Sequence, residues 1–248
     1  MARFRNLFVL TGVFVLAAPL VARRLPWMVH PLLAGTPYRT TVYRFTAVQP
    51  GPAVLLFAPH GDERSAGHVL SELVRTLRPD RGTLLVFPFP VPQAWERNKR
   101  YWMEDMNRQF MPSSMDYTPM DIVAAEVKHL IGRYGVRFFL NIHEGWLIFR
   151  DSWREYGQSI VVDTPAMGEP AGKLATLVNR TITIPAHRFY PALKPMPGTF
   201  TFWAEDAGLA ACGVEISRDL PWWYRVRYQK QVIQSFLQLV GTTLQPNR

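Results

Sequence analysis

Short, almost unbroken apolar runs alternate along this chain with stretches of helical periodicity, and that alternation restricts the folds open to it. Ala53–Ala58 (AVLLFA), Leu84–Phe87 (LLVF) and Ser159–Val162 (SIVV) have almost no polar position to turn towards water. That is the pattern of strands covered on both faces. Between them, Ser65–Leu77 places Val69, Leu70, Leu73, Val74 and Leu77 at helical spacing ahead of Pro79. Met120–Tyr134 does the same with Ile122, Val123, Val127, Leu130 and Ile131, ahead of Gly135. Further strands are expected over Thr40–Thr46, Val136–Ile142 and Ala210–Ile216, and further helices over Glu169–Asn179, Phe200–Ala207 and Trp223–Val240. The reading is α/β, a sheet with helices on both faces. With no internal repeat or low-complexity linker, residues 37–248 are expected to form a single domain.

The segment ahead of that domain has a different character. Arg3 and Arg5 precede Leu7–Ala22, which carries no charge. A basic start followed by a short apolar run marks a signal peptide, and the run is shorter than the roughly 20 residues that span a bilayer. Arg23 and Arg24 follow directly, so residues 1–22 read as a signal peptide or as an N-terminal membrane anchor. Either way the chain is expected to be exported or periplasmic, with the N-terminus able to hold it at the inner membrane. The single cysteine, Cys212, excludes an intramolecular disulfide framework. An apolar fraction of 48% excludes a chain disordered throughout. Lys and Arg number 28 against 19 Asp and Glu, a net charge of +9 that suits a polyanionic surface or an acidic substrate. Nucleic-acid binding would rest on that charge alone, with no reading element, and is not expected. A monomer is expected.

Chemistry concentrates where strands end, the usual position of ligands in such sheets. LLFAPHGDE puts His60 and Glu63 in the turn leaving one strand, FFLNIHEG delivers His143, and GVEISRDL delivers Glu215 from an otherwise apolar strand. Two imidazoles and a carboxylate form the ligand set of many catalytic zinc sites, leaving a fourth position for water. Taken singly, each residue has a plainer reading: His60 as a turn cap, Glu63 as an acid at a helix N-terminus, His143 as a core histidine. HEGWL lacks the second histidine of HExxH, which excludes a metalloprotease helix of that type. Glu215 is harder to explain without a function, because a carboxylate among Ala211, Val214 and Ile216 loses solvation and needs a partner or a raised pKa. Pro88–Pro119 has no clear periodicity, and loops of that length usually build a site. Within it, Asn107 and Arg108 can fork onto a carboxylate, and Arg100 can add a second positive charge.

Four ordered pieces, His60-Gly61-Asp62-Glu63, Asp105-Met106-Asn107-Arg108, His143 and Glu215, resemble the zinc carboxypeptidases of the carboxypeptidase A superfamily. That superfamily includes the succinylglutamate desuccinylase/aspartoacylase group. MNRQF, LNIHEG, YGQSIVVD and VEIS look most like the bacterial peptidoglycan-trimming carboxypeptidases that set cell shape. The resemblance implies a mixed, largely parallel sheet of about eight strands flanked by helices, and one zinc ion per chain held by His60, Glu63 and His143. It implies Glu215 as the base that activates water, Arg100 as the group polarising the scissile carbonyl, and Asn107 and Arg108 as the clamp on a terminal carboxylate. The implied substrate is a peptide, the peptidoglycan stem peptide. The family's substrate-capping tyrosine has no secure counterpart, with Tyr190 reading as well as packing. Two departures stand out: the chain ends soon after the catalytic domain, and His60 stands where the cell-shape enzymes can carry Gln. Two rival readings share the pattern. One is a zinc-dependent N-acyl amino acid amidohydrolase with the same ligands, the other a metal-free, membrane-anchored binding module.

Overall fold

The structure is a computed structural model and describes residues 27–111, 118–148 and 156–247. The segment read as a signal or anchor lies outside them. In the N-terminal half the elements are β1 (Trp27–Leu32), β2 (Thr40–Thr46), β3 (Gln49–Phe57), α1 (Arg64–Thr76), β4 (Leu77–Pro79), β5 (Arg81–Phe87), α2 (Pro92–Glu96) and α3 (Pro119–Tyr134). Then follow β6 (Phe138–Gly145), β7 (Ser159–Val162), α4 (Gly168–Asn179), β8 (Tyr190–Leu193), α5 (Phe200–Asp206), β9 (Ala210–Ser217), α6 (Trp222–Leu239) and β10 (Leu244–Pro246).

Eight strands form one mixed sheet in the order β1-β2-β5-β3-β6-β9-β7-β8, and β10 pairs with β4 apart from it. The four central strands are mutually parallel. β1 and β2 add antiparallel on one side. On the other, β7 runs antiparallel to β9 and β8 parallel to β7. This is the mixed α/β architecture expected.

Strand alternation divides the core in two. From β3, Val54 and Leu56 join one buried cluster with Leu70 of α1, Leu174 of α4 and Val232 of α6. Leu55 and Phe57 point the other way, into a cluster with Val123 and Val127 of α3 and Ala204 of α5. In the second cluster Phe110 and Phe200 stack at 3.6 Å between centroids, and Phe57 meets Phe200 edge-on. The helix α3 is closed at both ends by its own residues. Thr118 and Asp121 form a capping box, and Gly135 ends it in the left-handed conformation at φ 60°.

Three boundaries differ from the sequence reading. The sheet begins at Trp27, ahead of residue 37, because β1 pairs along its length with β2. β6 continues past Ile142 to Gly145, so His143 lies within a paired strand rather than beyond its end. α1 stops at Thr76, and Pro79 sits in β4 instead of acting as the helix stop. The strands β1 and β8 carry Pro31 and Pro191 at the two edges of the sheet, where a missing N–H costs no ladder bond. Neither shows the apolar run that marks a central strand.

Candidate metal centre and substrate cavity

The same alternation that splits the core places the site. Asn141 and His143 of β6, Gly213 and Glu215 of β9, and Ser159 and Val161 of β7 share one face, because His143 pairs with Glu215, Glu215 with Ser159 and Gly213 with Val161. Glu144 turns to the opposite face, where it accepts from Ser65 and Arg225.

His60 and Glu63 reach this face from the turn between β3 and α1. Gly61 makes the turn fit, since a Cβ there would lie 2.2 Å from the carbonyl carbon of Ala94 in α2. Glu63 occupies the N-cap position of α1, yet its side chain caps no backbone N–H of that helix. It faces the two imidazoles instead. His60 Nδ1 lies 2.7 Å from Glu63 Oε1, His143 Nδ1 lies 3.0 Å from Glu63 Oε2, and the two Nδ1 atoms are 3.2 Å apart. All three residues are buried, and one ligand atom from each lies within 4.8 Å of the others.

The donor set fits a divalent cation. Tetrahedral ligands about 2.0–2.1 Å from zinc stand roughly 3.3 Å from one another, close to these separations. The electrostatics agree. Burial opposes charge on His60, but Glu63 and Asp105 outweigh it and raise the imidazole to about 9, so the position attracts positive charge, and a metal ion bound there would displace that proton. Burial likewise opposes ionisation of Glu63, and the two histidines override it to hold the carboxyl well below its ordinary range. At His143 burial wins and keeps the ring neutral, as a metal ligand must be.

Asp105 orients the centre from behind. It accepts from His60 Nε2 at 2.9 Å, the arrangement that fixes which imidazole nitrogen faces a metal. It also accepts from the backbone N–H of Asn107 and from Arg100 Nε. Arg100 reaches Glu63 Oε1 as well, at 3.2 Å.

A cavity of about 340 Å³ opens beside this cluster and is lined by Glu63, His143, Glu215, Arg100, Asn107 and Arg108 among others. Six of the seven residues singled out from the sequence therefore line one space, and His60 is bonded to two of its neighbours from behind. Burial and the adjacent Glu63 carboxylate push Glu215 up to about 8. Gly145 leaves it room, because a Cβ there would stand 3.1 Å from Glu215 Oε2. Asn107 presents a defined side. Its Oδ1 accepts from the backbone N–H of Phe200 at 3.2 Å, a group that can only donate, and from Asn141 Nδ2 at 3.1 Å. The amide NH2 of Asn107 is thus the end left for a ligand. Arg108 is exposed and makes no ion pair among the described residues, its hydrogen bond going to the carbonyl of Asn107.

The structure adds residues to which the sequence reading gave no role, two of them, Tyr156 and Asp163, at the ends of the segment YGQSIVVD. Tyr156 lines the cavity, whereas Tyr190 stands exposed on β8 outside it. Arg218, three residues past Glu215, pairs with Asp62 at 2.9 Å and lies over the Trp146 ring. Asp163 also lines the cavity.

With this geometry in place the chain can be set beside known proteins. The fold is that of the Csd4 and succinylglutamate desuccinylase structures. Residues 50–146 match the family model described as the succinylglutamate desuccinylase/aspartoacylase catalytic domain. Among solved structures, the chain is similar to the mDAP-bound form of Csd4 from Helicobacter pylori, a D,L-carboxypeptidase. The TM-score is 0.75 at 20% identity, over 82% of this chain and 55% of that one. The tripeptide-bound form of the same cell shape determinant gives 0.75 at 20% identity over 84% and 56%. A succinylglutamate desuccinylase/aspartoacylase from Rhodobacter sphaeroides gives 0.60 at 20% identity over 83% and 60%. The chain thus spans just over half the length of the Csd4 structures. No curated protein matches its sequence.

Proposed function

We propose that this protein is an exported zinc metallocarboxypeptidase that removes the C-terminal residue from peptidoglycan stem peptides. The observation that carries the reading is the pairing of two sites in one cavity. A buried His-Glu-His cluster with Glu215 beside it lines the same space as the amide of Asn107 and Arg108, which makes no ion pair among the described residues. His60, Glu63 and His143 would hold a zinc ion, whose positive charge would polarise the scissile carbonyl, make water more acidic and offset Glu63 so that Glu215 can ionise. Glu215 then takes a proton from the attacking water and passes it to the leaving amine. Arg108 holds the terminal carboxylate through two parallel N–H groups, and Asn107 adds a donor. Arg100, already directed at Glu63, faces the negative charge that develops on the carbonyl oxygen. Export rests on residues 1–22, and a stem peptide suits both that location and the charge of +9.

The experiment compares a free-acid peptide with its C-terminal amide on the zinc-loaded protein. Wild type should cleave the acid and barely touch the amide, and Arg108→Lys, which keeps charge but loses the fork, should be impaired. In Arg108→Ala the two peptides should become nearly equivalent, as coupling between partners requires. Equal cleavage of both by wild type would sink the exopeptidase reading. A second reading, a zinc-dependent amidohydrolase acting on N-acyl amino acids, is favoured by the family model over residues 50–146. It predicts release of the acid from an N-succinyl or N-acetyl amino acid and no product from peptides.

A further inference from the structure

Because β7 runs antiparallel to β9, with Ser159 opposite Glu215 and Val161 opposite Gly213, following β7 leads away from the reaction centre along the sheet face. Asp163 comes two residues after Val161, hence on the same face and about 7 Å further along. It lines the cavity together with Val161, Met196, Thr201, Gly213 and Arg108. Gly213 leaves the space between open. A Cβ there would lie 3.7 Å from Val161 Cβ and 3.8 Å from Thr201 Oγ1, so any side chain would fit only by filling the cavity.

Asp163 is 3% exposed. Its Oδ1 accepts from the Met196 N–H at 2.6 Å, while Oδ2 is buried with no hydrogen-bond partner among the described residues. The backbone around it is held by Glu205, whose carboxylate accepts from the N–H groups of Asp163 and Thr164 at 2.9 and 2.7 Å. The region therefore carries a second negative charge, and among the described residues Arg108 acts on Asp163 through space without forming an ion pair. A buried carboxylate oxygen without a donor is costly, and buried polar groups in native structures almost always have partners. A donor arriving with a ligand would supply that partner. Burial and Glu205 push the carboxyl up to about 6, so at neutral pH it is ionised and attracts a cation.

We infer that Asp163 is a specificity residue whose Oδ2 receives the side-chain ammonium of the residue released from the substrate's C-terminus. The inference rests on the carboxypeptidase reading for one thing, the seat of the terminal carboxylate on Arg108. A residue anchored there, with an ammonium at the end of an extended side chain, meets opposite charge at both ends.

The test uses peptides identical except for a C-terminal lysine or norleucine, each in both configurations, with the full zinc-loaded chain. In parallel, calorimetry measures binding of free lysine and free norleucine to wild type and to Asp163→Asn. A charge-assisted hydrogen bond in a buried site should give wild type at least about a tenfold preference for lysine in kcat/KM and in affinity. In Asp163→Asn the ratio should fall towards one. A wild-type ratio of one, or a ratio unchanged by the substitution, overturns the assignment. Should the variant fail to fold, the wild-type ratio alone decides. If no peptide is cleaved yet lysine binds with an Asp163-dependent preference, the carboxypeptidase reading falls and the specificity site stands. Cleavage without preference for lysine does the reverse.

Discussion

Replacing Asp163 with asparagine should change how the protein's stability responds to acid. In the folded state burial raises this carboxyl from the ordinary 3.8 to about 6, so between those values the native protein binds a proton that the unfolded chain has released. Stability then falls as pH rises through that window, because protonation linkage follows the difference in bound protons. At about 1.4 kcal/mol per tenfold in proton affinity, the span corresponds to about 3 kcal/mol. Asparagine cannot titrate. Its own burial cost is the same at every pH and drops out of the comparison, as do the other groups that titrate in both proteins. Urea unfolding of wild type and Asp163→Asn from pH 4 to pH 8 reads the effect as a difference of free energies. Relative to the variant, wild type should lose about 2.5 kcal/mol of that span as pH rises from 4 to 8, with the two running parallel once the pH is well above 6. A difference that is flat, or that grows in favour of wild type with rising pH, would show that Asp163 finds its countercharge within the protein.

Glu215→Gln should keep the metal and lower turnover by at least about 10²–10⁴-fold, since the amide keeps the shape but accepts no proton; near wild-type turnover would remove Glu215 from the mechanism. Asp105→Asn replaces the charge behind His60 and should weaken zinc affinity about 10–100-fold while the protein stays folded. Competition with a chelator measures this, and unchanged affinity would detach Asp105 from the metal centre. Gly61→Ala puts a Cβ 2.2 Å from the Ala94 carbonyl carbon, so α2 and the turn carrying His60 and Glu63 must separate. Zinc affinity and melting temperature should both drop, and a variant indistinguishable from wild type would mean the turn has slack.

Much of the candidate site could be read locally. Ala53–Ala58 and Ser159–Val162 announce themselves as central strands because no polar residue interrupts them, and His60, Glu63, Asn107 and Arg108 sit in short segments whose chemistry is local. Glu215 stood out because an acid amid apolar neighbours is costly. What escaped depends on pairing between distant segments. Asp163 looks like an ordinary acid closing a strand until β7 is known to run against β9, which turns it towards the cavity instead of away from it. Arg218 gains meaning only through Asp62, brought near by the β3–α1 turn. Tyr156 precedes β7 and Tyr190 begins β8, and only the pairing of these strands shows that the first lines the cavity while the second is exposed. The edge strands escaped because a proline in each suppresses the usual strand signal.

The pairing of His143 with Glu215, and of Glu215 with Ser159, carries a consequence for how such a chain can change over generations. A strand shifted by one position turns every side chain to the opposite face. A single inserted or deleted residue early in β9 would bring Val214 or Ile216 to the site and drive the carboxylate into the helix-covered core. The same event between Lys194 and Thr199 leaves those rungs as they are. Length variation among descendants of this chain should therefore collect in the loops around the cavity, where it remodels what is bound, and be purged from the strands, where it would erase the chemistry in one step.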